Sequence, residues 1–199
     1  PTVLFDELEA LIIDATVRIQ ISGRLRGSGV VTEIRGRKYV VTANHCIAHT
    51  RSRAITVATY RGNCWGEVSH LVGSNDGFDV AAFPLPESLE HLPAVPLLEG
   101  QVPVGQPVHL SGFPEGHYRI TTGEILKYRR EGTELIHSAP SEPGSSGGML
   151  ITNQGYLCGI HSGRESSAAP WRSSESSSYP WHYAIPSSLI IRLVERYDW

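Results

Sequence analysis

The sequence predicts an all-β fold of two packed antiparallel six-stranded β-barrels with a helix at the C-terminal end. Three observations predict it. Apolar and polar residues alternate in short runs separated by Gly, Asn, Arg and Ser turns. A proline-punctuated stretch divides those runs into two groups, and apolar residues recur at helical spacing only near the two ends of the chain.

In chain order, Leu4, Leu8, Leu11 and Ile12 predict a short amphipathic helix. Strands follow at residues 16–21, 29–34, 39–42, 54–58 and 65–72, with a further apolar run, Phe78-Asp79-Val80-Ala81-Ala82, headed by an aspartate. Pro84, Pro86, Pro93, Pro96, Pro103 and Pro107 then rule out a central strand or a long helix, because proline lacks the backbone donor that both require. Residues 84–106 therefore read mainly as a connection, with one barrel in residues 1–96 and another in 97–199. Strands of the second barrel are expected at 108–112, 118–128, 133–137, 148–152, 156–160 and 181–185. Residues 162–178 are serine-rich without an apolar period and predict a long exposed loop. Pro186-Ser187-Ser188 opens the terminal helix, in which Leu189, Ile190, Leu193, Val194 and Tyr197 share a face.

With 199 residues, 40% of them apolar, the chain has enough apolar content for one substantial core or two small ones, which excludes disordered and fibrous classes. No apolar stretch approaches the roughly 18 residues of a membrane helix. The N-terminal segment carries Asp6, Glu7, Glu9 and Asp14 where a signal peptide would be basic, so no targeting segment is expected. A first residue of proline fits excision from something longer. Cys46, Cys64 and Cys158 cannot all pair, which favours a reducing compartment, and Cys158 reads as a small buried strand residue. No Cys-x-x-Cys or His-x-x-x-His spacing occurs, so neither a metal nor a cofactor is expected.

The net charge of −3 conceals an asymmetry, because residues 15–61 hold nine Arg or Lys against Glu33 alone. Arg24/Arg26, Arg35/Arg37 and Arg51/Arg53 are each spaced by two, which places each pair on one face of a strand. A solvated outer face accounts for them; RNA or an acidic partner bound through residues 18–61 is the sharper expectation.

The chemistry is concentrated in three motifs. Gly144-Ser145-Ser146-Gly147-Gly148 places a serine in a glycine-rich turn, the setting of an exposed nucleophile. Val40 to Cys46 is an apolar strand that runs into a turn ending on His45, and Asp79 heads its own apolar run. A serine hydroxyl becomes nucleophilic when a neutral imidazole accepts its proton, and a carboxylate holds the imidazole's tautomer and stabilises the imidazolium. His45, Asp79 and Ser146 supply base, orienter and nucleophile. Asp76, in Gly73-Ser74-Asn75-Asp76-Gly77, reads as a residue that shapes a turn. The amides of Gly144 and Ser146 are the expected oxyanion donors.

The order His, Asp, Ser and these motifs resemble the chymotrypsin-like protease superfamily, with Gly27-Ser28-Gly29-Val30 similar to its early strand. The resemblance implies a cleft between two barrels with the triad across it. Ser145 stands where secreted trypsin-like enzymes carry an aspartate that pairs with a new N-terminus, so an oxyanion hole formed without such trimming is expected. Ser141 and His161, in Gly159-Ile160-His161-Ser162-Gly163, resemble the pocket with which glutamyl endopeptidases and the chymotrypsin-like proteases of positive-strand RNA viruses bind Glu or Gln before the cut bond. Ser162 and Gly163 continue this segment as the edge that pairs with the substrate backbone.

Spacings of 34 residues from His45 to Asp79 and 67 from Asp79 to Ser146 describe a compact enzyme. Compactness and the cysteine count resemble the sobemovirus-like polyprotein-processing proteases, which implies the enzyme's own polyprotein as substrate and the host cytoplasm as location. Gly155 to His161 also resembles staphylococcal glutamyl endopeptidases and exfoliative toxins, which implies secretion. Two other classes compete: a double-barrel peptide- or RNA-binding module without activity, and an esterase with the same triad. Given the implied specificity, Glu165-Ser166 and Glu175-Ser176 in the serine-rich loop are expected sites of self-nicking.

Overall fold

The computed structural model of the protein describes residues 2–48, 54–75, 77–164 and 181–197. Arg51, Arg53, Asp76 and the two Glu-Ser bonds of the serine-rich segment lie outside them. Helix α1 (Thr2–Ala15) leads into strands β1 (Thr16–Ile21), β2 (Arg24–Ile34), β3 (Arg37–Thr42), β4 (Ile55–Ala58), β5 (Trp65–Glu67), β6 (Gly73–Asn75), β7 (Val80–Pro84) and β8 (Val95–Pro96). Strands β9 (Pro107–Gly112), β10 (Arg119–Arg129), β11 (Glu134–His137), β12 (Met149–Thr152), β13 (Leu157–Arg164) and β14 (His182–Pro186) follow, then helix α2 (Ser187–Tyr197).

The mostly β class with a C-terminal helix is as the alternation predicts. Strands β9 to β14 close into a six-stranded barrel in the order β10-β11-β14-β13-β12-β9. The first sheet is an open path, β5-β4-β1-β2-β3-β7-β6, with β8 added in parallel to β2. Two-residue turns set its hairpins: Ser22-Gly23 joins β1 to β2 and Arg35-Gly36 joins β2 to β3, all four with positive φ, the geometry that matches the twist of paired strands. This corrects the expectation for Arg35 and Arg37, which do not share a strand face because Arg35 occupies the turn and Arg37 begins β3. Arg24 and Arg26, by contrast, lie exposed two residues apart on β2.

Alternation in the barrel divides its side chains between two apolar clusters. Val108, Leu110, Leu135, Leu150, Cys158 and Ala184 belong to the smaller, which the barrel strands supply. Met149, Ile151, Leu157, Ile160 and Ile185 join the first sheet's Val17, Ile19, Val40, Val41 and Phe83 in the larger. Leu189, Ile190, Leu193 and Val194 of α2 complete the larger cluster, so the last helix packs on both sheets. Each fully buried aliphatic or aromatic side chain of this kind contributes about 1.5–3 kcal/mol. That shared core holds the two halves of the cleft together.

Candidate active site

His45 sits in a single 3-10 turn, Asn44–Cys46, directly beyond the end of β3. Asp79 lies at the tip of the β6–β7 hairpin with φ of 53°, a left-handed backbone that costs energy for a residue with a side chain. Three bonds fix the pair. The Asn44 amide donates to the Asp79 carbonyl (3.1 Å), the His45 amide to Asp79 Oδ1 (2.8 Å), and the His45 ring places Nδ1 2.7 Å from Asp79 Oδ2. The hydroxyl of Ser162 also donates to Asp79 Oδ2.

Burial pushes the Asp79 carboxyl up, but the bonds from the His45 ring, Ser162 and the His45 amide outweigh it and leave Asp79 below its ordinary value. His45 moves the other way: the bond to Asp79, with Cys46 adding, raises the imidazole well above 6.5. The pair is thus built to welcome a proton on His45.

Ser146 belongs to a turn whose amides and carbonyls are individually placed. Ser145 closes it, with its amide donating to the Glu142 carbonyl (2.9 Å) and its hydroxyl accepting from the Glu142 amide (3.2 Å). The Pro143 carbonyl is taken by the Glu115 amide (3.0 Å). In a trans peptide the N–H points opposite to the C=O, so this bond turns the Gly144 N–H away from Glu115. The Gly144 carbonyl accepts from the Ser28 hydroxyl (2.8 Å), which itself accepts from the Phe113 amide (2.8 Å), and the Ser28 amide donates to the Ser146 carbonyl (2.8 Å). Ser28, on the first sheet, therefore clamps the nucleophile loop from across the cleft. Gly144 (φ +100°) has no room for a Cβ, which would run into the Phe113–Glu115 segment, and Gly147 (φ +82°) abuts the Ser28 carbonyl.

Ser162 joins the halves. Its hydroxyl is on Asp79, and its carbonyl accepts from the Ser146 hydroxyl (3.3 Å). Beside it runs a cleft of about 620 Å³ that His45, Asp79 and Ser162 help to line.

His161 is 2% exposed and stands among two further histidines that sequence reasoning did not single out. His137 and His182 are direct cross-strand partners on β11 and β14, and the register of β14 on β13 brings His161 beside them. His137 Nε2 lies 3.2 Å from His161 Nδ1, while the His137 and His182 rings stack at 5.6 Å. Ser141 does not bond His161; its hydroxyl lies 2.8 Å from His182 Nδ1. Burial lowers all three histidines, with neighbouring imidazoles adding to it at His137 and His161 and Arg164 adding to it at His182, and His161 falls to about 3. All three are therefore neutral near pH 7. In the tautomer in which His137 Nε2–H donates, His161 Nδ1 accepts and its Nε2 carries the proton, which makes that nitrogen a neutral donor. His137 Nδ1 is then a buried acceptor without a partner among the described residues.

Cys46, Cys64 and Cys158 are free thiols, and Cys158 is buried on β13 as expected. Part of the basic segment is engaged within the fold: Arg18 lies 4.9 Å over the Phe113 ring, Arg35 pairs with Glu195 at 2.7 Å, and Lys38 donates to the Glu90 and Leu92 carbonyls.

A family model described as "trypsin-like peptidase domain" matches residues 27–160. The chain is 29% identical over 150 residues to Protease Do-like 1, chloroplastic, of Arabidopsis thaliana, a match that covers 68% of this chain and 32% of that protein. Its fold matches the crystal structure of the serine endoprotease from Yersinia pestis with a TM-score of 0.76 and 26% identity, over 96% of this chain and 65% of that one. The chain thus spans about a third of the curated relative and less than two thirds of the solved chain.

Proposed function

The chain belongs to the trypsin-like peptidase domain family, a serine endopeptidase by type, and we propose that it cuts polypeptides after glutamate or glutamine with Ser146 as nucleophile, His45 as base and Asp79 as its orienting carboxylate. The observation that carries this reading is the convergence of the Ser146 hydroxyl and the His45–Asp79 pair, from separate sheets, on Ser162.

A substrate strand laid along residues 162–164 offers the N–H of its last acyl-side residue to the Ser162 carbonyl. That N–H displaces the Ser146 hydroxyl, which turns to His45 Nε2. His45 takes the proton as the Oγ–carbon bond forms, and Asp79 stabilises the imidazolium. The negative oxygen enters the hole formed by the amides of Gly144 and Ser146, where one such donor is worth about 2.7–4 kcal/mol. His45 then returns the proton to the leaving amine as the carbon–nitrogen bond breaks, and water repeats the sequence on the acyl-enzyme.

His161 and Ser141 are the proposed recognition groups. A neutral imidazole donor satisfies a carboxylate or carboxamide oxygen, and an apolar side chain would leave it unpaired. For the natural substrate, the compact motif spacing supports the chain's own polyprotein. The second reading is a cellular protein substrate, supported by the chloroplast and bacterial relatives. RNA binding through the basic segment is the lesser reading: Arg24 and Arg26 lie exposed on β2 and support it, while Arg18, Arg35 and Lys38 are engaged within the fold.

The test is labelling with a serine-directed fluorophosphonate, then a peptide library read by mass spectrometry. We expect label on Ser146 and cuts after Glu or Gln. Ester hydrolysis without peptide cleavage would favour the esterase class, and retained peptide cleavage by Ser146→Ala would overturn the mechanism.

A further inference from the structure

Strand β13 pairs with β14 as far as Arg164↔His182 but with β12 only as far as Ile160↔Met149, so among the described residues the other edge of 162–164 is unpaired. Beside that edge, the cleft of about 620 Å³ is lined by Phe78, Arg129, Arg130, Glu134, Arg164 and Tyr183, among others. Its charges are unevenly spent. Arg129 makes a two-pronged contact with the buried Glu134, Nε at 2.8 Å and Nη2 at 2.7 Å. Arg130 only approaches the same carboxylate oxygen, its Nε at 3.9 Å, and its side chain is 76% exposed. Arg164 has no ion pair among the described residues. The other carboxylate of the lining, Asp79, is committed to His45 and Ser162.

The turn that carries Arg130 holds it in place at a cost. Arg130 (φ 49°) and Glu131 (φ 57°) both adopt the left-handed backbone for which asparagine or glycine is the usual choice in a tight hairpin. Gly163 keeps the strand surface between Ser162 and Arg164 bare, because a Cβ there would press on the Tyr183 phenol.

Resting on the endopeptidase reading above, we propose that Arg130 and Arg164 form a binding site for an acidic side chain two or four residues before the cut bond. Strand alternation sets the positions. If the residue before the bond points to His161, those two and four before it point to the opposite face, toward this cleft. Two partly solvated guanidiniums suit a carboxylate, at the modest strength of exposed ion pairs.

The experiment compares matched peptides that share Glu-Ser at the cut bond and carry Glu, Ala or Lys at the second or fourth acyl-side position. Intact enzyme is expected to cut the acidic peptide about fivefold faster in kcat/KM than the Ala peptide at one of these positions, the scale of an exposed ion pair, and the advantage should shrink with salt. The double variant Arg130→Glu/Arg164→Glu should reverse the order in favour of Lys, while Arg24→Glu, on the far sheet, should keep the wild-type order. Equal rates for Glu, Ala and Lys in the wild type, or an unchanged order in the double variant, would overturn this site and leave the endopeptidase reading standing. Failure to cut any of the peptides would overturn both. The wild-type peptide series and its salt dependence decide the question even if the double variant does not fold.

Discussion

His45 stands at the edge of the first sheet, its side chain 52% exposed, with an ionised carboxylate 2.7 Å from Nδ1; His161 is 2% exposed in the barrel wall with two other imidazoles around it. One side chain type is thereby driven in opposite directions, His45 toward binding a proton and His161 away from it. The difference follows from what each is asked to do in the proposed mechanism. A general base must become positive in the transition state, so it needs water access and a fixed negative partner. A recognition donor must present one N–H before the substrate arrives, and burial keeps His161 neutral while His137 Nε2, 3.2 Å from its Nδ1, can hold the other ring nitrogen as acceptor.

The largest break in this comparison is at the chemistry. Ser146→Ala or His45→Ala is expected to lower kcat by roughly 10⁴- to 10⁶-fold with the fold intact by circular dichroism. Loss of less than tenfold would remove His45 from the role of base. Next in size, Asp79→Asn should cost about 10⁴-fold, because the tautomer and the stabilised imidazolium are both lost. Its pH–rate profile carries the sign. Activity requires neutral His45, whose pKa Asp79 raises, so wild-type kcat/KM should climb with pH along a limb centred above 6.5, and that limb should move down in Asp79→Asn. An unmoved limb would mean that Asp79 does not set the base.

On the other wall the effects are smaller and selective. His161→Leu should reduce kcat/KM for Glu peptides by roughly 10- to 100-fold, the worth of one hydrogen bond to a charged group, and change Leu peptides little. His137→Phe should cost several-fold on Glu peptides alone, and His137→Gln, which keeps an N–H near the same place, should restore most of it. Equal losses on Glu and Leu peptides would reduce His137 to a packing residue. Smallest is a pH effect on choice. Because free His161 is neutral and a bound carboxylate favours its protonated form, the Glu-over-Gln ratio should rise about two- to fivefold from neutral to mildly acidic pH. A ratio that falls on acidification would place the carboxylate away from the histidines.

Much of the site could be read from the chain. His45, Asp79 and Ser146 each sit in a local pattern, an apolar strand ending in a turn or a serine between glycines, and local patterns survive in sequence. Ser141 and His161 were legible as separate residues. Their joint pocket was not, because Ser141 reaches His182 instead, and His182 lies in a strand whose alternation marks it only as one more position on a face. Ser28 looked like part of a glycine-rich strand, yet its hydroxyl and amide hold the nucleophile loop. Nothing in its neighbourhood signals a partner 116 residues away.

Most of the strands, the proline-rich divide and the type of chemistry are written locally in the chain, since each depends on backbone preferences and side-chain periodicity within a few residues, whereas the two-residue turns at Ser22-Gly23 and Arg35-Gly36 appear only once the strands pair. Closure of the second sheet into a barrel while the first stays open, and the meeting of His137, His161 and His182, come from packing across the whole molecule. Both depend on register between distant strands, where a shift of one residue would turn every side chain to the other face, and that register is set by the packing of the whole core.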